Sequence, residues 1–114
     1  MYKNVAESLA ANKGYRIILY YPMDVNLNLY KYFLAVVEEQ SVSRAAEKLG
    51  VSQPTVSYNI HTLQRELGEQ LFVVERNGAV PLRRALVLYR HLKPVYTAFL
   101  QTIDNFVQQS EQQK

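Results

Sequence analysis

The spacing of apolar positions changes several times along this chain, and each change predicts an element. Before Pro22 two stretches stand apart. Residues 5–12 (VAESLAAN) have the content of a short helix stopped by Gly14, and residues 15–21 (YRIILYY) have the β-branched and aromatic content of a strand. Pro22-Met23-Asp24 then reads as a fresh start, with Met23 a candidate translation start. From Leu27 the period is helical: Leu29, Phe33, Val36 and Val37 recur at three and four residues, with Leu34 nearby, until Glu38-Glu39-Gln40. Asn26 and Asn28 both suit its N-cap. A second helix is expected after Ser41 or Val42, with Ser43 as its N-terminal hydroxyl. Ala45, Ala46 and Leu49 are its buried face, Gly50 its left-handed stop, and Val51 a plug in the turn.

The third helix opens on Ser52 as N-cap, with Pro54 in the first turn, where a missing N–H costs nothing. Val56, Ile60, Leu63 and Leu67 form its buried stripe, which leaves Ser57, Tyr58, His61 and Gln64 exposed, and Gly68 ends it. Residues 71–82 hold two β-type runs flanking Asn77-Gly78, the strongest two-residue hairpin signal. Pro81 suits the end of a short edge strand. From Arg83 to about Ser110 a long helix carries Ala85, Tyr89, Leu92, Tyr96, Phe99, Ile103 and Phe106, alternating by four and three. Leu88, Val95, Leu100 and Val107 widen that stripe. Pro94 predicts a kink, because the carbonyl of Arg90 loses its helical partner there. The polar end, QQSEQQK, is expected to fray.

Function is most legible in residues 41–67, SVSRAAEKLGVSQPTVSYNIHTLQREL. Two short helices joined by a Gly-centred turn, the second opening on Ser-Gln-Pro-Thr, suit entry into a DNA major groove end-on. A hairpin after such a unit is a wing. The expected fold is therefore mainly α: a winged helix–turn–helix (three helices plus a β-hairpin) followed by a long dimerisation helix. Residues 1–22 read as an N-terminal extension, 23–82 as the DNA-binding domain, and 83–114 as the linker or dimerisation helix with a polar tail.

Composition narrows the class. With 114 residues, 48% hydrophobic and 20% charged, the chain fits one soluble domain with a modest core. No apolar run is long enough to span a bilayer, and the N-terminus lacks the order of a signal peptide, so a cytoplasmic location and no membrane partner are expected. Without cysteine there is no disulfide framework and no thiolate chemistry. The net charge of +3 is small for a nucleic-acid binder, but Arg76, Arg83, Arg84, Arg90 and Lys93 form a block without acidic residues. Such a block is either a solvated helix face or, beside a DNA-reading unit, a phosphate contact. His61 and His91 lie thirty residues apart, and no nucleophile–base pair, paired carboxylates or Gly-rich phosphate loop accompanies them. No catalytic residue, metal or cofactor is expected.

The segment 29–82 resembles the N-terminal winged helix–turn–helix domain of LysR-type transcriptional regulators. The resemblance rests on Phe33-x-x-Val36, Ser41-Val-Ser-Arg-Ala-Ala46, Leu49-x-Val51-Ser-Gln-Pro-Thr-Val-Ser57, Ile60-x-x-Leu63 and Glu66-Leu-Gly68-x-x-Leu71-Phe72. It covers about half of the chain and implies that the following helix is the family's dimerising linker. Two departures stand out. Val74 lies near the family's wing arginine, and Leu82-Arg83-Arg84-Ala85-Leu86 replaces its Leu-Thr-x-x-Gly, so Arg76, Arg83 or Arg84 would have to supply the wing's phosphate contacts. The family continues into an effector-binding domain that lies outside this sequence, so no small-molecule effector is inferred.

Gln53 is the foremost candidate for base readout, since its amide matches the N6 and N7 edge of adenine. Pro54 and Thr55 offer apolar contact to a thymine methyl. Ser52 and Ser57 suit phosphates, aided by the positive end of the helix, and Ser43 resembles another family phosphate contact. Tyr58 and His61 follow one turn on. Each has a plainer role as well: Ser43 and Ser52 as caps, Pro54 as helix initiator, His61 as a surface residue. The stripe of Tyr89, Leu92, Tyr96, Phe99, Ile103 and Phe106 either covers the domain's own core or pairs with a second copy, and its length favours a homodimer on an inverted-repeat double-stranded DNA site. The alternative is a protein-interaction module that dimerises with a full-length relative or another partner without binding DNA.

Overall fold

The computed structural model describes residues 25–76 and 78–112. The expectations for residues 5–12, 15–21 and Met23 lie outside the described residues. Helix α1 spans Leu27–Glu39, α2 Val42–Leu49 and α3 Gln53–Leu67; strands β1 (Phe72–Glu75) and β2 (Gly78–Pro81) follow, and α4 runs over Arg83–Gln112. The chain is thus mainly helical, with the predicted winged helix–turn–helix order.

Helix α1 is the hub. Asn26 caps it, its side-chain oxygen accepting from Asn28 N at 3.0 Å. Seven of its residues are buried (Leu29, Tyr32, Phe33, Leu34, Ala35, Val36 and Val37), more than one stripe would supply. The reason is tertiary: α2, α3, α4 and β2 all pack against it. Phe33, Leu29, Leu63, Val36 and Val56 are the largest fully buried side chains. Phe33 meets Phe72 of β1 with ring centroids 5.8 Å apart, a tilted pair that draws the wing onto the helical core.

Helix α2 is short, and its alanines Ala45 and Ala46 are buried, so the neighbouring backbones approach closely. Its cap is Ser41 rather than Ser43: Ser41 Oγ accepts from Arg44 N at 3.1 Å. Gly50 stops the helix at φ 69°, with Val51 N donating to the Ala46 carbonyl at 3.0 Å. This six-to-one closure lets Val51 turn back against the core. Gly68 ends α3 the same way, at φ 67°, with Glu69 N donating to the Gln64 carbonyl at 3.1 Å.

The wing is an antiparallel pair in the register Phe72↔Pro81, Val73↔Val80, Val74↔Ala79 and Glu75↔Gly78. Gly78 is therefore a strand residue, not a turn residue, one position off the expected Asn77-Gly78 turn. Its reason for being glycine lies elsewhere: a Cβ there would stand 2.6 Å from the Gln40 carbonyl oxygen.

Helix α4 runs on through Pro94 and extends two residues beyond the expected Ser110. At 1.5 Å per residue its 30 residues span about 45 Å. Ala85 is buried, and Leu88, Tyr89, Leu92 and Tyr96 pack partly against the core. Past Tyr96 every residue through Ser110 is exposed.

Candidate nucleic-acid interface

Two helix N-termini carry most of the expected DNA-facing residues. At α3, Ser52 Oγ accepts from Thr55 N at 3.3 Å and lies 2.9 Å from Thr55 Oγ1. That pair locks the first turn and holds the next residues outward. Gln53 and Pro54 are exposed, while Thr55 and Ser57 are half-buried. Asn59 and Thr62 spend their side chains on the Thr55 and Tyr58 carbonyls, at 2.7 and 2.9 Å. Tyr58, 67% exposed, and the exposed His61 carry the outer face one turn on.

At α2, Ser41 takes the capping bond, and Ser43 stands exposed with its hydroxyl 3.1 Å from Ser41 Oγ. Arg44 follows it, also exposed. Neither α2 nor α3 has an acidic residue in its first turn, so the positive ends of both helix dipoles are unopposed by a local carboxylate.

The cationic block proves narrower than its sequence. Arg84 Nε pairs with Glu69 at 3.0 Å, and Lys93 Nζ pairs with Glu38 at 2.6 Å. Among the described residues Arg44, Arg76, Arg83 and Arg90 make no ion pair. Arg76 occupies the wing turn, and Arg83 opens α4 one residue after β2. Arg44, missed in the sequence, was recognisable as the only cation in the first turn of either motif helix.

Gln64 was expected to be fully exposed and, like Ser57, is only partly so. It is half-buried, and its Oε1 accepts from both Leu71 N at 2.7 Å and Phe72 N at 3.2 Å. One side chain of α3 thereby caps the start of β1, where two buried residues present their N–H groups. Leu82 N closes the other side on the Leu71 carbonyl at 2.8 Å. The wing is consequently fixed to α3 at its base.

The expected dimer stripe divides in two. Tyr89, Leu92 and Tyr96 lie partly buried against this domain's own core, whereas Phe99, Ile103 and Phe106 are exposed, Phe106 to 69%. Among the described residues no helix is long and apolar enough to cross a membrane.

Comparison with known proteins gives this arrangement a context. Residues 27–84 match the sequence profile described as "Bacterial regulatory helix-turn-helix protein, lysR family". The nitrogen assimilation regulatory protein nac of Klebsiella aerogenes is 34% identical over 71 residues, covering 62% of this chain and 23% of that protein. The HTH-type transcriptional regulator BenM of Acinetobacter baylyi is 51% identical over 59 residues, covering 52% of this chain and 18% of its own length. This chain therefore spans about a fifth of the length of such relatives. Among solved structures, the BenM DNA-binding domain in complex with catB site 1 DNA is similar, with a TM-score of 0.68 and 31% identity. The similarity covers 74% of this chain and 94% of that one. The CbnR DNA-binding domain in its DNA complex shares the fold at a TM-score of 0.66 and 23% identity over 71% of this chain. With the family profile matching half of its length on the helices and wing described above, the chain belongs to the LysR family of bacterial regulatory helix-turn-helix proteins.

Proposed function

We propose that this chain binds double-stranded DNA sequence-specifically, as a homodimer, and regulates transcription. The observation that carries the proposal is the first turn of α3, where Gln53 and Pro54 are exposed and no carboxylate opposes the helix dipole. On a fold similar to that of a domain solved with DNA, this turn is the part suited to the major groove. Gln53 reads a base edge; Pro54 and Thr55 meet a thymine methyl; Ser43, Ser52 and Ser57 hold phosphates; Tyr58 and His61 extend the contact along the groove. Arg76 and Arg83 act on the backbone beside the wing. Arg84 plays a smaller part, because Glu69 already neutralises it.

The dimer half of the proposal rests on Phe99, Ile103 and Phe106, which stay exposed among the described residues. Burying a large, fully exposed apolar side chain is worth about 1.5–3 kcal/mol, so covering this face favours association of two copies. In this division residues 23–82 recognise DNA and residues 83–114 dimerise.

Binding to random duplex over a range of salt tests the proposal, followed by selection of bound fragments from random DNA. A steep loss of affinity with ionic strength and an inverted-repeat motif are expected. Within that motif Gln53→Ala should relax one position by about 1–3 kcal/mol. Binding that is absent or flat with salt would overturn the proposal in favour of a protein-interaction module.

A further inference from the structure

One carboxylate fastens α4 where it leaves the winged unit. Glu38, in the last turn of α1, accepts through Oε2 from Tyr89 Oη at 2.8 Å and from Lys93 Nζ at 2.6 Å. Its Oε1 accepts from Lys48 Nζ of α2 at 3.0 Å. Three helices thus meet on one side chain. Tyr89 and Lys93 are four residues apart and share a face of α4.

The apolar contacts of Leu88, Leu92 and Tyr96 hold α4 close to the core, but such packing has little directional preference. Short hydrogen bonds to a charged acceptor are directional. They also sit at a critical place, since past Tyr96 the helix, exposed through Ser110, has no further support among the described residues. From Lys93 to Phe106 is about 20 Å of helix, so a tilt of about 10° displaces the exposed face by about 3.5 Å, one base-pair step. A two-fold axis through that face would double the effect on the separation of the two α3 N-termini.

We propose that Glu38 is a positioning residue for DNA recognition: through Tyr89 and Lys93 it aims α4 and so sets the half-site spacing that the dimer accepts. The proposal rests on the reading of a dimer joined through α4.

The test uses the full chain and two inverted copies of the half-site taken from its own selected fragments, separated by spacers of varied length. The parent should show one sharp spacing optimum. Glu38→Gln should bind an isolated half-site within about twofold of the parent, yet spread its preference over neighbouring spacers or move it by a base pair or more. Tyr89→Phe, which keeps the ring and removes only one donor, should broaden the optimum in the same direction and serves if Glu38→Gln folds poorly. An unchanged sharp optimum in these variants overturns the proposal. So does equal loss at every spacing and at the isolated half-site, which is what a merely structural role would give. A parent that binds a half-site without any spacing optimum instead overturns the dimer reading itself.

Discussion

The backbone N–H of Ala79, in the second strand of the wing, donates to the carbonyl of Gln40 at 3.0 Å. This bond joins the end of α1 to the edge of the hairpin, and it requires the two backbones to come very close. Gly78 is the residue that permits the approach, with a Cβ there only 2.6 Å from the same carbonyl oxygen.

Replacing Gly78 by Ala should therefore cost about 1–3 kcal/mol, because backbone rather than a flexible side chain must move. Gly50 makes the contrast. Its φ of 69° favours glycine, yet nothing lies within 4 Å of an added Cβ. Asparagine tolerates that left-handed conformation, so Gly50→Asn should be mild while Gly78→Asn should be as damaging as Gly78→Ala. Urea denaturation of the three variants checks the ranking.

Gln40 itself adopts φ 52°, ψ 35°, the only positive φ at a non-glycine position among the described residues. A left-handed side-chain-bearing residue is strained by about 1–2 kcal/mol. Gln40→Gly removes the strain but enlarges the entropy of the unfolded chain. The net expectation is a gain of about 0.5–1 kcal/mol, read as a higher denaturation midpoint with an unchanged slope. The carbonyl that meets Ala79 is retained, so the wing should stay in place.

Gln64 illustrates what periodicity hides. Its place off the Val56–Ile60–Leu63 stripe was legible, and so were the caps at Ser52, Gly50 and Gly68, because each depends on neighbours within a turn. Its bonds to Leu71 and Phe72 depend on how the chain returns after Gly68, which no local spacing encodes. The same holds for the wing, whose second strand bonds through Ala79 to the Gln40 carbonyl, and for the basic block, depleted by Glu38 and Glu69 from elsewhere in the chain. Ser41 displaced Ser43 as cap for a smaller reason: both are serines two residues apart, and only backbone geometry separates them. The first part of the apolar stripe of α4, Tyr89, Leu92 and Tyr96, does face the core. Where the domain's own core stops covering it is a matter of three-dimensional extent.

Gln64→Leu should accordingly destabilise the fold by about 2 kcal/mol, since two buried residues lose the acceptor for their N–H groups. Gln64→Glu keeps an acceptor oxygen and should cost clearly less. Thermal denaturation of the pair separates this anchoring role from a role in DNA contact, for which both substitutions would matter only once duplex is added.

The Glu38 network carries a pH signature. Burial by itself would raise its carboxyl, but hydrogen bonds from Lys93, Tyr89 and Lys48 together with the Lys93 charge outweigh it and hold the group at about 2, against an ordinary 4.5. A depressed folded value means that the contribution is present above pH 4.5 and is lost as pH falls from there toward 2. At the alkaline end the hydrogen bond and charge of Glu38 raise Lys48 above 10.5. The bond to Glu38, with burial, likewise raises Tyr89 above 10.0. Raised values give the opposite sign: those contributions are present below about pH 10 and fade as pH climbs past it. Glu38→Gln should flatten the acid side of a plot of urea midpoint against pH. Retention of the full parental slope between pH 4.5 and 3 would assign the acid sensitivity to other carboxylates.

The two halves of the α4 stripe should respond differently to charge. Ile103 is 48% exposed and lies outside the core formed by the described residues, whereas Tyr89 and Leu92 pack against that core. Ile103→Glu should leave the denaturation midpoint of dilute, monomeric protein within about 0.5 kcal/mol of the parent, as expected for a surface change. At higher concentration it should abolish association, because a carboxylate would face its symmetry copy across an apolar seam. Leu92→Glu should instead destabilise the monomer, since it places a charge against the hydrophobic core. Sedimentation velocity over a concentration series, run beside urea denaturation, distinguishes the two outcomes. If Ile103→Glu associates like the parent, the face running through Phe99 and Phe106 is not where two copies meet.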